Sequence, residues 1–183
     1  MGLMKALVVY ESMFGNTRRV AEAVASGLAL FGEVSVVPVA EAGRAVLSTA
    51  DLVVVGGPTH VHGMTRPRSR AGAVAMAHKP GSDLVLEPNA EGPGVREWLA
   101  DLPRTTAWAA AFDTRMTMAP FLTGRASRRI HRRLRAHGFS MVLRPKSFLV
   151  NGDNTLMPGE EKRAQAWGEE LATAVGAPRL TAA

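Results

Sequence analysis

Glu11–Ser12–Met13–Phe14–Gly15–Asn16–Thr17 separates an apolar run, Ala6–Leu7–Val8–Val9–Tyr10, from a segment that carries Val20, Val24 and Leu28 at helical spacing. The run is too uniformly apolar to alternate between a wet and a dry face. It reads as a strand buried on both faces, as the first strand of a parallel sheet is. A strand that turns directly into a helix aims the first unpaired helix N–H groups at the turn, where the helix dipole favours negative charge. Ser12 and Thr17 add hydroxyls, Gly15 lets the backbone approach a ligand closely, and Asn16 suits a sharp turn. The stretch is read as an anion cradle with phosphate as its natural guest, against the plainer reading of a turn in which Ser or Asn caps a helix. Neither the Gly-Lys-Ser/Thr of a triphosphate loop nor a Gly-x-Gly-x-x-Gly dinucleotide fingerprint is present.

Outward from this stretch, strands and helices alternate. Val34 to Val39 predicts a second strand, and Pro38 places it at a sheet edge. Asp51 to Gly56 predicts a strongly apolar, central third strand, Thr105 to Phe112 a fourth, and Ser140 to Val150 a fifth with a bulge or edge at Pro145. Helices are expected from Asn16 to Leu30, with Gly32 as the glycine after its end, then from Ala45 to Ala50 and from Arg68 to Ala77. Others are expected around Val95, Trp98, Leu99 and Leu102, from Arg125 to His137, and from Pro158 onward, where Ala164, Trp167 and Leu171 recur. This alternation predicts an α/β protein: a three-layer α/β/α sandwich around a five-stranded parallel sheet. Ligands of such sheets bind outside the carboxyl ends of the strands. That rule selects three loops, Glu11–Thr17, Gly56–Pro67 and Asp113–Thr123.

With 183 residues, 46% of them hydrophobic and 21% charged, the chain is expected to form one ordered domain over residues 1–183. No apolar run has the length of a membrane span, and the N-terminal run is too short for a signal-peptide core, so a cytoplasmic location is expected. The absence of cysteine excludes disulfides, thiolate metal sites, iron–sulfur clusters and cysteine nucleophiles. Redox chemistry therefore needs an organic cofactor or a metal held by other ligands. The net charge of +6 favours acidic partners.

Ser12–Met13–Phe14–Gly15–Asn16–Thr17 resembles the phosphate signature of flavodoxins, roughly Thr/Ser-x-Thr-Gly-Asn-Thr, which stands at the same place between strand one and helix one. Gly56–Gly57–Pro58–Thr59–His60–Val61–His62–Gly63–Met64 resembles the flavodoxin segment that begins Gly-x-Pro-Thr and lies against the flavin ring. The resemblance implies the flavodoxin-like sheet order 2-1-3-4-5, a non-covalent flavin mononucleotide (FMN) cofactor and an electron-transfer role. Ser12, Met13, Phe14, Gly15, Asn16 and Thr17 would hold its phosphate. Pro58, Thr59, His60, Val61, His62 and Gly63 would contact the ring, and Asp113, Thr114 and Arg115 would form the second wall. The chain departs from the family at Phe14, where Thr is common, in its basic charge, and in its third loop, Phe112–Asp113–Thr114–Arg115. It also lacks the usual Trp or Tyr beside the ring; His60, His62, Met64, Met116, Met118 and Phe121 are the wall materials available.

Three functional readings follow. The first is an electron carrier for a redox partner protein or small-molecule acceptor. The second is an FMN-dependent NAD(P)H:quinone-type reductase, with Gly57–Gly94 covering the ring or making an oligomer contact. The third is a flavodoxin-fold binding or regulatory protein without a working flavin. No catalytic side chain is assigned, and no metal is expected: His60 and His62 have the spacing of ligands, but Asp113 alone would have to complete the site. The helix Arg125–His137 carries Arg125, Arg128, Arg129, Arg132, Arg133 and Arg135, which read as a solvated face or as a dock for an acidic partner. Nucleic-acid binding is not expected, since aromatic content is 5% and no reading module is present.

Overall fold

The apolar run folds as a strand because both of its faces find a helix layer. In the computed structural model, which describes residues 3–43, 47–60, 62–119 and 124–177, β1 (Met4–Tyr10) is buried at every position but Lys5. Ala6, Val8 and Tyr10 pack with Val20, Val24 and Leu28 of α1 (Asn16–Leu28), and with Ala164, Trp167 and Leu171 of α5 (Glu160–Ala174). Leu7 and Val9 face the other way, onto Val95 and Leu99 of α3 (Val95–Ala100) and onto Ala126, Ile130 and Leu134 of α4 (Ala126–Ala136). The period-2 alternation of the strand thus sorts one apolar run into two cores.

Strand β2 (Gly32–Pro38) lies at the edge, paired in parallel with β1, and β3 (Leu52–His60) pairs with β1 on its other side. β5 (Trp108–Met116) follows β3, also in parallel, with Leu52 opposite Trp108 and Gly56 opposite Phe112. The fifth position is shared by β6 (Ser140–Met141) and β7 (Lys146–Val150), both parallel to β5. The break between them includes Pro145, which has no N–H to donate to a ladder. The parallel order is β2-β1-β3-β5 followed by β6 and β7, with helices on both faces; counting parallel positions alone this is the 2-1-3-4-5 order that the resemblance implies. A two-residue strand, β4 (Gly63–Met64), folds back antiparallel on the end of β3, and α2 (Pro67–Ala77) follows it.

Several boundaries differ from expectation. The first helix ends at Leu28, and Gly32 is the first residue of β2 rather than a helix-terminating glycine. It is opposite Met4, and a Cβ on it would lie 2.0 Å from the Met4 carbonyl oxygen. The third strand runs on to His60 and the fourth on to Met116, so Asp113, Thr114 and Arg115 lie in a strand and not in a loop. Pairing holds them there: Asp113 faces Gly57 on one side and Ser147 on the other, and Thr114 faces Pro58 and Phe148. The last helix begins at Glu160 after Gly159, whose φ of 85° ends the preceding turn. Of the expected Ala45–Ala50 connector, Ala45 and Val46 lie outside the described residues, as do Val61 and Phe121.

Candidate functional site

The turn from β1 into α1 brings Ser12 to Thr17 together at the carboxyl end of the sheet. Gly15 is the residue before the helix and has φ 89°, a left-handed conformation that glycine adopts without a Cβ penalty. Its N–H donates to Ser12 Oγ at 3.1 Å, which leaves the Ser12 hydroxyl hydrogen free to donate. No acidic side chain stands in the first turn of α1, and no side chain caps it, so its leading N–H groups face the turn.

Three long-range contacts fix the cradle. Thr17 Oγ1 and Thr114 Oγ1 are 2.7 Å apart and both residues are buried. A pair of hydroxyls uses one hydrogen between them and keeps the other for a further acceptor. Asn16 Nδ2 donates to the carbonyl oxygen of Asn154 at 2.8 Å. Behind the loop, Met13 and Phe14 pack with Ala73, Val74, Leu86 and Ala90, and the Met13 carbonyl accepts the Glu87 N–H at 2.9 Å. Part of the long Gly57–Gly94 segment therefore lies against the phosphate-loop candidate. Glu87 approaches Gly15, but both of its carboxylate oxygens accept from Arg18 Nε, at 3.2 and 3.0 Å, which offsets the charge there.

The cleft in front of the turn has a volume of about 140 Å³ and is lined by Ser12, Met13, Phe14, Asn16, Thr17, Pro58, Thr59, His60, Thr114 and Arg115, with Met116, Val150 and Asn154. Burial lowers the pKa of His60, which favours the uncharged imidazole. Desolvation also lowers that of Arg115, whose Nη1 donates to the carbonyls of Met116 at 3.1 Å and Met118 at 2.7 Å. Both methionines are exposed.

The remaining candidates have other neighbours. Thr59 Oγ1 accepts the Ala126 N–H at 2.9 Å, and Asp113 Oδ2 accepts the Ser127 N–H at 2.7 Å, so strands β3 and β5 both cap the start of α4. Asp113 is fully buried, and its Oδ1 has no partner among the described residues. His62 is exposed, has φ 68°, and bridges to Gly124. Gly63 is buried where a Cβ would meet Arg129 Nε at 3.0 Å. Among the described residues no group of three or more His, Cys, Asp or Glu side chains is placed to hold a metal, and no helix is long and apolar enough to cross a membrane.

Sequence reasoning passed over Glu11 and Asn154. Glu11 left a signal, an acid directly after a fully buried strand. Its Oε1 accepts from the Thr65 hydroxyl, and its Oε2 accepts the Val95 N–H at 2.8 Å. Asn154 left none, since it meets Asn16 only through the fold.

No protein-family model matches the sequence, and no curated protein matches it. Solved structures do match in shape. A flavodoxin from the domain Archaea is 22% identical, with 94% of this chain and 99% of that one covered at a TM-score of 0.64. Oxidised flavodoxin 1 from Bacillus cereus is 19% identical, with 92% and 97% covered at 0.64. A flavodoxin, WrbA-like protein from Agrobacterium tumefaciens is 17% identical, with 96% and 99% covered at 0.58.

Proposed function

From a chain that has the flavodoxin-like fold, we propose a protein that binds FMN non-covalently and transfers electrons through it. The observation that carries this reading is the turn at Ser12–Thr17, with its left-handed Gly15, the uncapped start of α1 and two buried threonine hydroxyls. A dianionic phosphate matches this donor set: helix N–H groups, the free Ser12 hydroxyl and one hydroxyl hydrogen from the Thr17–Thr114 pair. The resident carboxylate, Glu87, is already held by Arg18.

Ser12 to Thr17 would hold the phosphate, with Thr114 supporting Thr17. Pro58, Thr59, His60 and Arg115 would border the rest of the cofactor, together with Met116 and Asn154. Asp113 contributes by holding α4 against β5, so its part is to position Thr114 and Arg115. When bound, the flavin supplies one- and two-electron redox chemistry, and the protein's share is orientation and electrostatics. A positive Arg115 on the cleft wall favours the more negative, reduced cofactor, while a neutral His60 adds no charge there.

The test is the visible spectrum of the purified protein with and without added FMN. Copurifying flavin, or saturable binding at micromolar FMN, supports the reading. If neither is seen, it is to be dropped in favour of a flavodoxin-fold binding or regulatory protein. Steady-state oxidation of NAD(P)H with a quinone then separates a reductase from a carrier.

A further inference from the structure

A second cavity, of about 470 Å³, opens beside the cleft at the end of β3, and His60 lines both. Its other walls include Met64 and four arginines, Arg66, Arg68, Arg96 and Arg129, from three separate parts of the fold. Arg96 is half-buried and rigidly held: Nε donates to the Thr65 carbonyl at 2.8 Å and Nη2 to the Met64 carbonyl at 2.9 Å. These acceptors are neutral, so they fix the guanidinium without cancelling its charge. Its sequence neighbour Glu97 pairs with Arg70 at 3.1 Å and accepts the Gly94 N–H at 2.8 Å. Among the described residues no carboxylate forms an ion pair with Arg66, Arg68, Arg96 or Arg129.

A solvated arginine face would spread its charges. Here Gly63 admits Arg129 against the backbone, where a Cβ would stand 3.0 Å from its Nε, and all four arginines line one concavity. Guanidinium forks without counter-charges match a group with several acidic oxygens. A neutral quinone has no use for them. An apolar wall at Met64 and an uncharged imidazole at His60 complete a pocket with one charged side and one less polar side.

We propose that this cavity binds a small molecule through a phosphate or pyrophosphate group, with its uncharged part against Met64 and His60. Binding rests on the cavity alone; that the ligand exchanges electrons with the cofactor rests on the function proposed above. A nucleotide and a simple phosphorylated metabolite share this chemistry.

Calorimetric titration of the full chain with inorganic pyrophosphate at physiological salt tests it, with ADP and a sugar phosphate as further arms to separate the two sources. One-to-one binding is expected, unchanged when the protein is first saturated with FMN, and at least tenfold weaker in Arg66→Gln and in Arg96→Gln. Arg66 is exposed, so its variant reports binding even if Arg96→Gln unfolds. Arg132→Gln, on α4 but outside the cavity, should bind within about twofold of the parent. Equal weakening by Arg132→Gln overturns the proposal, because charge alone would then explain binding. Loss of pyrophosphate binding on FMN saturation overturns it too, by moving the anion to the α1 turn. So does tighter binding of a short oligonucleotide with a salt dependence of several phosphates. Failure of FMN to bind, with pyrophosphate still bound, removes only the cofactor reading.

Discussion

Thr17 and Thr114 join the start of α1 to the end of β5 through one buried pair of hydroxyls. Thr17→Val removes the 2.7 Å contact and strands the buried Thr114 hydroxyl, at a cost of about 1 to 3 kcal/mol in stability. If Thr17 also serves a phosphate, the variant weakens FMN more than riboflavin in parallel fluorescence titrations; equal losses would deny it that role. Glu11 makes a separate prediction. It is 5% exposed, and burial raises its pKa above 4.5 against the opposing pull of the Thr65 hydroxyl, the Val95 N–H and Arg70. An acid with a raised native pKa holds its proton more tightly when folded, so its contribution is full below the unfolded value and is lost as pH rises through the native one. Urea unfolding from pH 4.5 upward should therefore show Glu11→Gln gaining on the parent as pH increases. A gap that does not change with pH would contradict this assignment.

Helices α1 and α5 cross at glycines. A Cβ on Gly27 would stand 2.0 Å from the Gln165 carbonyl oxygen, and one on Gly168 would stand 2.2 Å from that of Val24. Backbone thus meets backbone under the Val24, Trp167 and Leu171 side of the core. Helix propensity alone says that Gly168→Ala stabilises by roughly 0.5 to 1 kcal/mol. Overpacking opposes it with about 1 to 3 kcal/mol or more, because the obstacle is a carbonyl that cannot rotate away. A net loss of stability is expected in a thermal melt, and a rise in Tm would show that the crossing has slack. The start of α4 was partly legible: its apolar face at Ala126, Ile130 and Leu134 follows from spacing, and all three are buried. Its caps were not, since Thr59 and Asp113 come from two different strands. Their position at strand ends is what a sequence displays; their hydrogen bonds to α4 are not.

At the scale of the molecule, three large aromatics among the described residues are spent on the core. Phe112, Phe148 and Trp167 form a triangle of edge-to-face rings with centroids 6.0 to 6.2 Å apart. Trp98 Nε1 donates to the Ala42 carbonyl at 2.9 Å, and Trp108 begins β5 at the end of the sheet opposite the turn. A flavin in the cleft would therefore meet His60, Met116 and Arg115, with Phe14 as the aromatic among the described lining residues. Binding should still register globally. FMN at a hundred times its Kd stabilises the native state by about 2.7 kcal/mol. For a chain of this size that raises Tm by roughly 5 to 10 °C in calorimetry. No shift at saturating FMN would count against the cofactor.

The sequence by itself determined the layers, the parallel sheet and the tight turn from β1 into α1. These depend on apolar runs, helical spacing and the Gly15–Asn16 pair, all signals carried within about twenty residues of chain. Only the tertiary structure decided that β3 and β5 continue past Gly56 and Phe112, because ladders on both sides of β5 hold polar residues in extended form. It also decided that Asn154 steadies Asn16, that Thr59 and Asp113 cap α4, and that the arginines near residues 66, 96 and 129 share one cavity. The physical reason is the same in each case: hydrogen bonds and electrostatics act over a few ångströms in space, between residues that chain order keeps far apart.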